Sequence, residues 1–172
     1  MTKTLILFRH AKSSWDEDVE DHERPLAERG RKAAPVMAKW LASSGLKPSL
    51  ALVSTAKRTQ ETWALLEPEL GKITRRDVGE IYEAPASRIV EAIHGVEPSV
   101  EQLLVLGHNP GLEDLAQLLM KDRGGKAGER LRRKFPTAAI AVLDLPVDDW
   151  TEAAPDIATL VDFVTPKSLT LP

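Results

Sequence analysis

Apolar runs of strand length alternate along the chain with longer stretches in which apolar residues recur every three or four positions. That alternation predicts a parallel or mostly parallel sheet covered by helices. Residues 4–9 (TLILFR) form a compact β-rich run suited to a central strand buried on both faces. Across residues 27–44, Ala33, Val36, Met37, Trp40 and Leu41 fall at helical spacing, and Gly45 stands where a helix-terminating glycine belongs. Pro35 should kink that helix or mark its true start, because its ring removes one backbone hydrogen bond. Residues 50–54 (LALVS) read as a second strand, followed by a helix from about Lys57 that carries Trp63, Leu66 and Leu70 and closes near Gly71. Residues 77–82 give a weaker strand signal, and residues 87–94 a helix ended by Gly95. Residues 103–107 (LLVLG) are another buried-strand run, after which Leu112, Leu115, Ala116, Leu118 and Leu119 turn helical.

Two β-rich runs, 138–145 and 157–165, are separated by a loop bearing proline and acids, with no helix-length segment between them, so they should pair antiparallel at the sheet's end. The expected fold is α/β: a three-layer α/β/α arrangement with a mostly parallel central sheet and antiparallel C-terminal strands. With 172 residues, 42% of them hydrophobic, and neither an internal repeat nor a low-complexity linker, one domain over residues 1–172 is the expectation. A net charge of −3 argues against a surface devoted to nucleic acid, so any affinity for phosphate must be local. The absence of cysteine excludes disulfides, thiolate catalysis and cysteine-ligated metals, and makes the cytoplasm the natural compartment. No apolar run approaches the roughly 20 residues of a membrane span, so no membrane partner is expected.

In open α/β sheets ligands collect beyond the carboxyl ends of the strands, where loops converge and helix N-termini point inward. Arg9, His10 and Lys12 follow the first strand, Lys57 and Arg58 the second, and His108 and Asn109 the LLVLG strand. Two arginines and two histidines converging there would repel one another unless an anion balanced them, so the cluster suits an oxyanion. Phosphate is the leading candidate, since a guanidinium meets two of its oxygens at once.

The run Leu-Phe-Arg-His-Ala-Lys-Ser ending at Ser13 resembles the Arg-His turn of the histidine phosphatase superfamily. Arg24-Pro25-Leu26, Ser54-Thr55-Ala56-Lys57-Arg58 with Thr62, and Gly107-His108-Asn109-Pro110 resemble further blocks of its small SixA-like phosphohistidine phosphatase group, a match reaching Phe135-Pro136-Thr137. Ala11 stands where the superfamily at large has glycine, as in SixA-like members. The resemblance implies that His10 attacks phosphorus and is transiently phosphorylated, while Arg9, Arg58 and His108 hold the equatorial oxygens. Neighbouring guanidiniums would keep His10 neutral, as a nucleophile must be. No metal and no cofactor enter that scheme. An ester leaving group needs a general acid, for which Glu83 in Ile81-Tyr82-Glu83-Ala84 is the nominee, whereas a phosphoramidate needs less help. Arg24 and Asn109 are candidate substrate contacts.

The implied activity is that of a metal-independent phosphatase acting on phosphohistidine in a protein. The alternatives are a small-molecule phosphomonoesterase of the same superfamily and a catalytically silent module that binds phosphoproteins. His22 and His94 read as surface residues, Trp40 and Trp63 as core, and Trp15 as a residue lining the entrance. Arg24 has a second reading as a partner of the acidic run 16–23. Residues 121–134 carry seven basic and two acidic side chains with three glycines. They read as a mobile, solvated basic loop, or else as a lip that docks an acidic phosphoprotein or closes over phosphate.

Overall fold

The computed structural model describes residues 2–170. Six strands form one sheet: β1 (Lys3–Arg9), β2 (Leu50–Val53), β3 (Thr74–Asp77), β4 (Gln102–Gly107), β5 (Ile140–Leu145) and β6 (Thr159–Val164). Their order is β3-β2-β4-β1-β5-β6. The first four run parallel, β5 lies antiparallel to β1, and β6 antiparallel to β5 with an irregularity between Val142 and Leu143. The three-layer α/β architecture and the antiparallel C-terminal pair read from the sequence are both present.

Alternation explains why both faces are covered. Leu5 and Leu7 of β1 join one apolar cluster with Leu103 and Val105 of β4, while Ile6 and Phe8 join another with Leu104 and Leu106. Helices α1 (Glu28–Ser43) and α2 (Lys57–Leu70) close the second cluster with Met37, Leu41, Trp63 and Leu66. Helices α3 (Ala86–His94), α4 (Gly111–Leu119) and α5 (Gly125–Arg133) close the first with Ile89, Leu112, Leu115 and Leu131. A short α6 (Pro166–Thr170) follows β6. No helix among the described residues is long and apolar enough to cross a membrane.

The chain therefore leaves β1 toward one face of the sheet and leaves the adjacent β4 toward the other, which opens a crevice at their carboxyl ends. Glycine permits the close approach that shapes its floor: a Cβ on Gly30 of α1 would lie 2.2 Å from the carbonyl oxygen of Lys12, in the turn after His10. At the start of α4, a Cβ on Gly111 would lie 2.3 Å from the Ala84 carbonyl oxygen.

Some local expectations need correction. Helix α1 runs through Pro35, which neither starts nor ends it, and Val36 is exposed rather than packed. The strand expected at 77–82 lies earlier, at 74–77, because β3 is a charged edge strand with every residue exposed. The apolar signal came from Val78 and from Ile81, which is buried inside a single 3₁₀ turn spanning Gly79–Ile81. The basic loop contains a helix, α5, whose Ala127 and Leu131 point inward, and Phe135, just beyond the helix, joins the same apolar cluster. Trp63 is core and Trp40 packs against it half-buried.

Substituting Gly30 by alanine should lower stability by about 1–3 kcal/mol, as overpacking does. Gly95→Ala, whose nearest new contact would be an ordinary 3.5 Å, should cost much less. Urea unfolding of the two variants checks this.

Candidate active site

Register brings the two histidines together. Arg9 pairs with Gly107 across β1 and β4, and the His10 amide donates to the Gly107 carbonyl at 3.0 Å, so His10 and His108 emerge side by side. Their ring centroids are 5.2 Å apart, and both residues are buried. One strand over, Val53 pairs with Leu106, which sets Ser54 beside His108, and its hydroxyl lies 2.7 Å from His108 Nε2.

The backbone fixes the tautomer of His10. Nδ1 lies 2.7 Å from the Ala11 carbonyl oxygen, which only accepts, so Nδ1 carries the hydrogen and Nε2 of the neutral ring keeps its lone pair. Thr62 holds the adjoining His10–Ala11 peptide in place: its hydroxyl accepts from the Ala11 amide at 3.1 Å and donates to the Arg58 carbonyl at 2.7 Å. Burial, reinforced by Arg58, Arg9 and Arg24, pulls the pKa of His10 down to about 3, against an opposing pull from the Ala11 carbonyl. Burial, then His10 and Arg58, lowers His108 to about 3 as well.

Arg9 donates through Nη1 to the Phe135 carbonyl at 2.9 Å. Arg58, buried at the start of α2, donates through Nη1 to the Asp21 carbonyl at 2.7 Å and through Nη2 to Asp21 Oδ2 at 3.0 Å and Glu83 Oε1 at 2.9 Å. Glu83 Oε1 also sits 3.7 Å from His108 Nδ1. Glu83 reaches there from a left-handed backbone conformation, φ 49°, which a non-glycine residue adopts only where its surroundings impose it. At the site, two buried nitrogens, Arg9 Nε and His108 Nδ1, find no hydrogen-bond partner among the described residues. Such groups call for a reason, and an anion seated between them supplies one.

The nominated residues thus divide. His10, Arg9, Arg58, His108 and Glu83 converge. Arg24 is buried and engaged: it donates to the Ser14 carbonyl, to Ser13 Oγ and to Asp21 Oδ1 at 2.8 Å, so its pairing with the acidic run is real. Both ends of the Asn109 amide are bound to backbone, at the Phe135 carbonyl and the Glu113 amide, so Asn109 braces the site. Trp15 is exposed at the rim with the Arg24 guanidinium stacked 3.3 Å over its ring.

The sequence reading missed others. Asp21 joins Arg24, Arg58 and the Tyr82 hydroxyl, and these hydrogen bonds, led by that from Tyr82, hold its carboxyl well below the usual range. Its signal was the three-residue spacing to Arg24. Far from being idle surface, His22 lies 2.9 Å from the Thr55 hydroxyl and edge-on to Tyr82, which in turn stands edge-on to His108. His94 is bound to the Ala153 carbonyl, away from this group. Glu113 is half-buried near Arg9, and burial lifts its pKa.

Comparison with known proteins decides what this geometry belongs to. Residues 5–78 match the model of the histidine phosphatase superfamily (branch 1). An uncharacterised protein of Mycobacterium tuberculosis is 36% identical over 162 residues, covering 93% of this chain and 100% of that one. The chain belongs to the histidine phosphatase superfamily. Within it the chain is SixA-like. A candidate phosphohistidine phosphatase SixA from Nakamurella multipartitia superposes with a TM-score of 0.86 at 28% identity, covering 96% of this chain and 97% of that one. Another from Agrobacterium tumefaciens gives 0.80 at 27%, covering 95% and 97%.

Because unfolded histidine takes up a proton near pH 6.5 and these two resist it until about 3, the unfolded chain binds more protons throughout that window. Stability should be full above pH 6.5 and fall as pH drops toward 3, by up to about 1.4 kcal/mol per pH unit for each histidine. Urea midpoints between pH 7 and 4 test this, and His108→Gln should flatten the slope.

Proposed function

We propose that the chain is a metal-independent phosphatase that works through a phosphorylated His10 and removes phosphate from phosphohistidine in a protein. The observation that carries this reading is the pairing of His10 Nδ1 with the Ala11 carbonyl in a buried cationic cup, which leaves Nε2 unprotonated and available for attack at neutral pH. The SixA names borne by the Nakamurella and Agrobacterium structures support the substrate class.

His10 Nε2 forms a bond to phosphorus as the bond from phosphorus to the substrate's ring nitrogen breaks, and that nitrogen takes a proton from solvent so that a neutral imidazole departs. The phosphorylated His10 ring then carries a positive charge, which the hydrogen bond from its Nδ1–H to the Ala11 carbonyl stabilises. Water next attacks phosphorus, the Nε2–P bond breaks, and inorganic phosphate leaves with His10 neutral again. In this scheme Arg9, Arg58 and His108 hold the equatorial oxygens, where removing one such donor costs roughly 3 kcal/mol of barrier. Fixed guanidiniums thereby supply the charge neutralisation for which other phosphoryl-transfer enzymes use a cation. The incoming phosphoryl group has to take Arg58 Nη2 from Asp21 or Glu83. Glu83, next to both Arg58 and His108, is the proton donor this scheme would use for an ester.

His10→Ala should abolish hydrolysis of phosphohistidine and of phosphoramidate, and EDTA should leave the wild type unaffected. Rapid quenching should trap an acid-labile phosphoenzyme only when His10 is present. Glu83→Gln should slow phosphoserine or aryl phosphate turnover at least tenfold while changing phosphohistidine turnover little. Equal activity of wild type and His10→Ala, or inactivity of both on every substrate, would overturn the reading.

A further inference from the structure

Charge is distributed unevenly around the mouth of the cup. On the β2 side, the segment before Arg24 carries Asp16, Glu17, Asp18, Glu20, Asp21 and Glu23, all exposed, and is fastened to α2 through Arg58. On the far side, α5 packs against β6 and carries Arg130, Arg132 and Arg133 in its last turn. The acidic segment packs against α2, which follows β2, and α5 packs against β6; β2 and β6 lie on opposite sides of the central pair β4 and β1.

Helix α5 leads directly to the chemistry. Phe135, two residues beyond the helix, accepts hydrogen bonds from Arg9 and from Asn109 on its carbonyl, and Ala138 donates to the carbonyls of Arg9 and His10. The last turn of the helix is thus tied to the floor of the cup. Lys121, Arg123, Lys126, Arg130, Arg133 and Lys134 are exposed along this stretch. Arg123, Arg132 and Arg133 line a shallow cavity of about 670 Å³ around Gly125, with Glu129 as its acidic member. Arg132 is spent on the Arg123 carbonyl, and Arg133 approaches Glu129 only to 3.6 Å with both side chains largely in water, which leaves strong donors facing outward.

We propose that this basic face docks an acidic surface of the phosphoprotein substrate, so that its phosphohistidine enters the cup with the acidic side of the partner toward α5. The proposal rests on the phosphatase reading above and adds the partner's charge and orientation. A folded protein fits because its surface carries both signs. A nucleic acid or an anionic membrane, negative throughout, would meet the carboxylates of the opposite rim. Docking charges at a rim act mainly on encounter, so salt should weaken them.

Two synthetic peptides bearing one phosphohistidine provide the test, one with an aspartate and glutamate block and the other with a lysine block placed three to eight residues away, with phosphoramidate as the small substrate. Wild type should favour the acidic peptide in kcat/KM by roughly fivefold or more at low ionic strength. Arg123→Glu with Arg133→Glu should erase or invert that preference while leaving phosphoramidate turnover unchanged. Arg123→Gln with Arg133→Gln should reduce the preference without placing a new carboxylate beside Glu129. Fluorescence anisotropy of the unphosphorylated acidic peptide on the His10→Ala protein reads docking without turnover, so failure of the phosphatase reading and failure of this one remain distinct. Equal use of both peptides, equal loss on phosphoramidate in the double variants, or tighter binding of an RNA oligomer or anionic vesicles than of the acidic peptide would each refute the proposal.

Discussion

The structure depends on keeping two imidazoles uncharged among guanidiniums. His10 and His108 stand 5.2 Å apart at the ends of adjacent parallel strands, and burial alone would disfavour protonation of either. With Arg9 and Arg58 at hand, a second positive charge becomes still less acceptable, so the site enters neutral solution with a lone pair available and cationic donors around it. The burial and charge that would arm His10 under the proposed function would also make the site acid-sensitive. A nucleophilic histidine on an exposed loop would have neither property.

Holding cations in a buried place has a structural consequence, seen in Asp21 and Glu83. Both carboxylates bind the Nη2 end of Arg58, and Asp21 also binds Arg24 and Tyr82. Without counter-charges the buried guanidinium would keep only the Asp21 backbone carbonyl as an acceptor and be costly to hold. Because Asp21 and Glu83 are partly exposed, they occupy the outer edge of Arg58 and can give way to a phosphoryl oxygen. Arg24, by contrast, is spent on Ser13, Ser14 and Asp21 and serves to fix the turn that carries the acidic segment.

How much of this could be read in the sequence follows from what creates each feature. His10, Arg58 and His108 each come just after an apolar strand run, so local patterning places them at one end of the sheet, and the motif blocks resemble a known family. Ser54 and Thr62 were visible as motif letters, but their partners, His108 Nε2 and the Ala11 amide, depend on which strands are neighbours, and strand order is not written locally. Asp21 was hidden among other acids, and only the fold singles it out. β3 escaped because an exposed edge strand of charged residues has no alternation to detect. Helix α5 escaped because three glycines mask a weak apolar spacing, although at Gly128 a Cβ would collide with the Arg123 carbonyl and glycine is required.

The antiparallel end of the sheet explains how chemistry and recognition can be built from one stretch of chain. β5 enters antiparallel to β1 and passes the active-site turn first, where Ala138, in a left-handed conformation at φ 65°, binds the carbonyls of both Arg9 and His10. The segment just before it therefore has to lie against the cup, and that segment is the end of α5. A parallel strand in this position would begin at the opposite end of the sheet and bring its preceding residues there. Reversing one strand thus carries the C-terminal end of a basic helix to the site while Phe135 and Ala138 hold the floor. The exposed charges of α5 are thereby separated from the buried imidazoles, so the docking proposed for them can be altered without disturbing the chemistry.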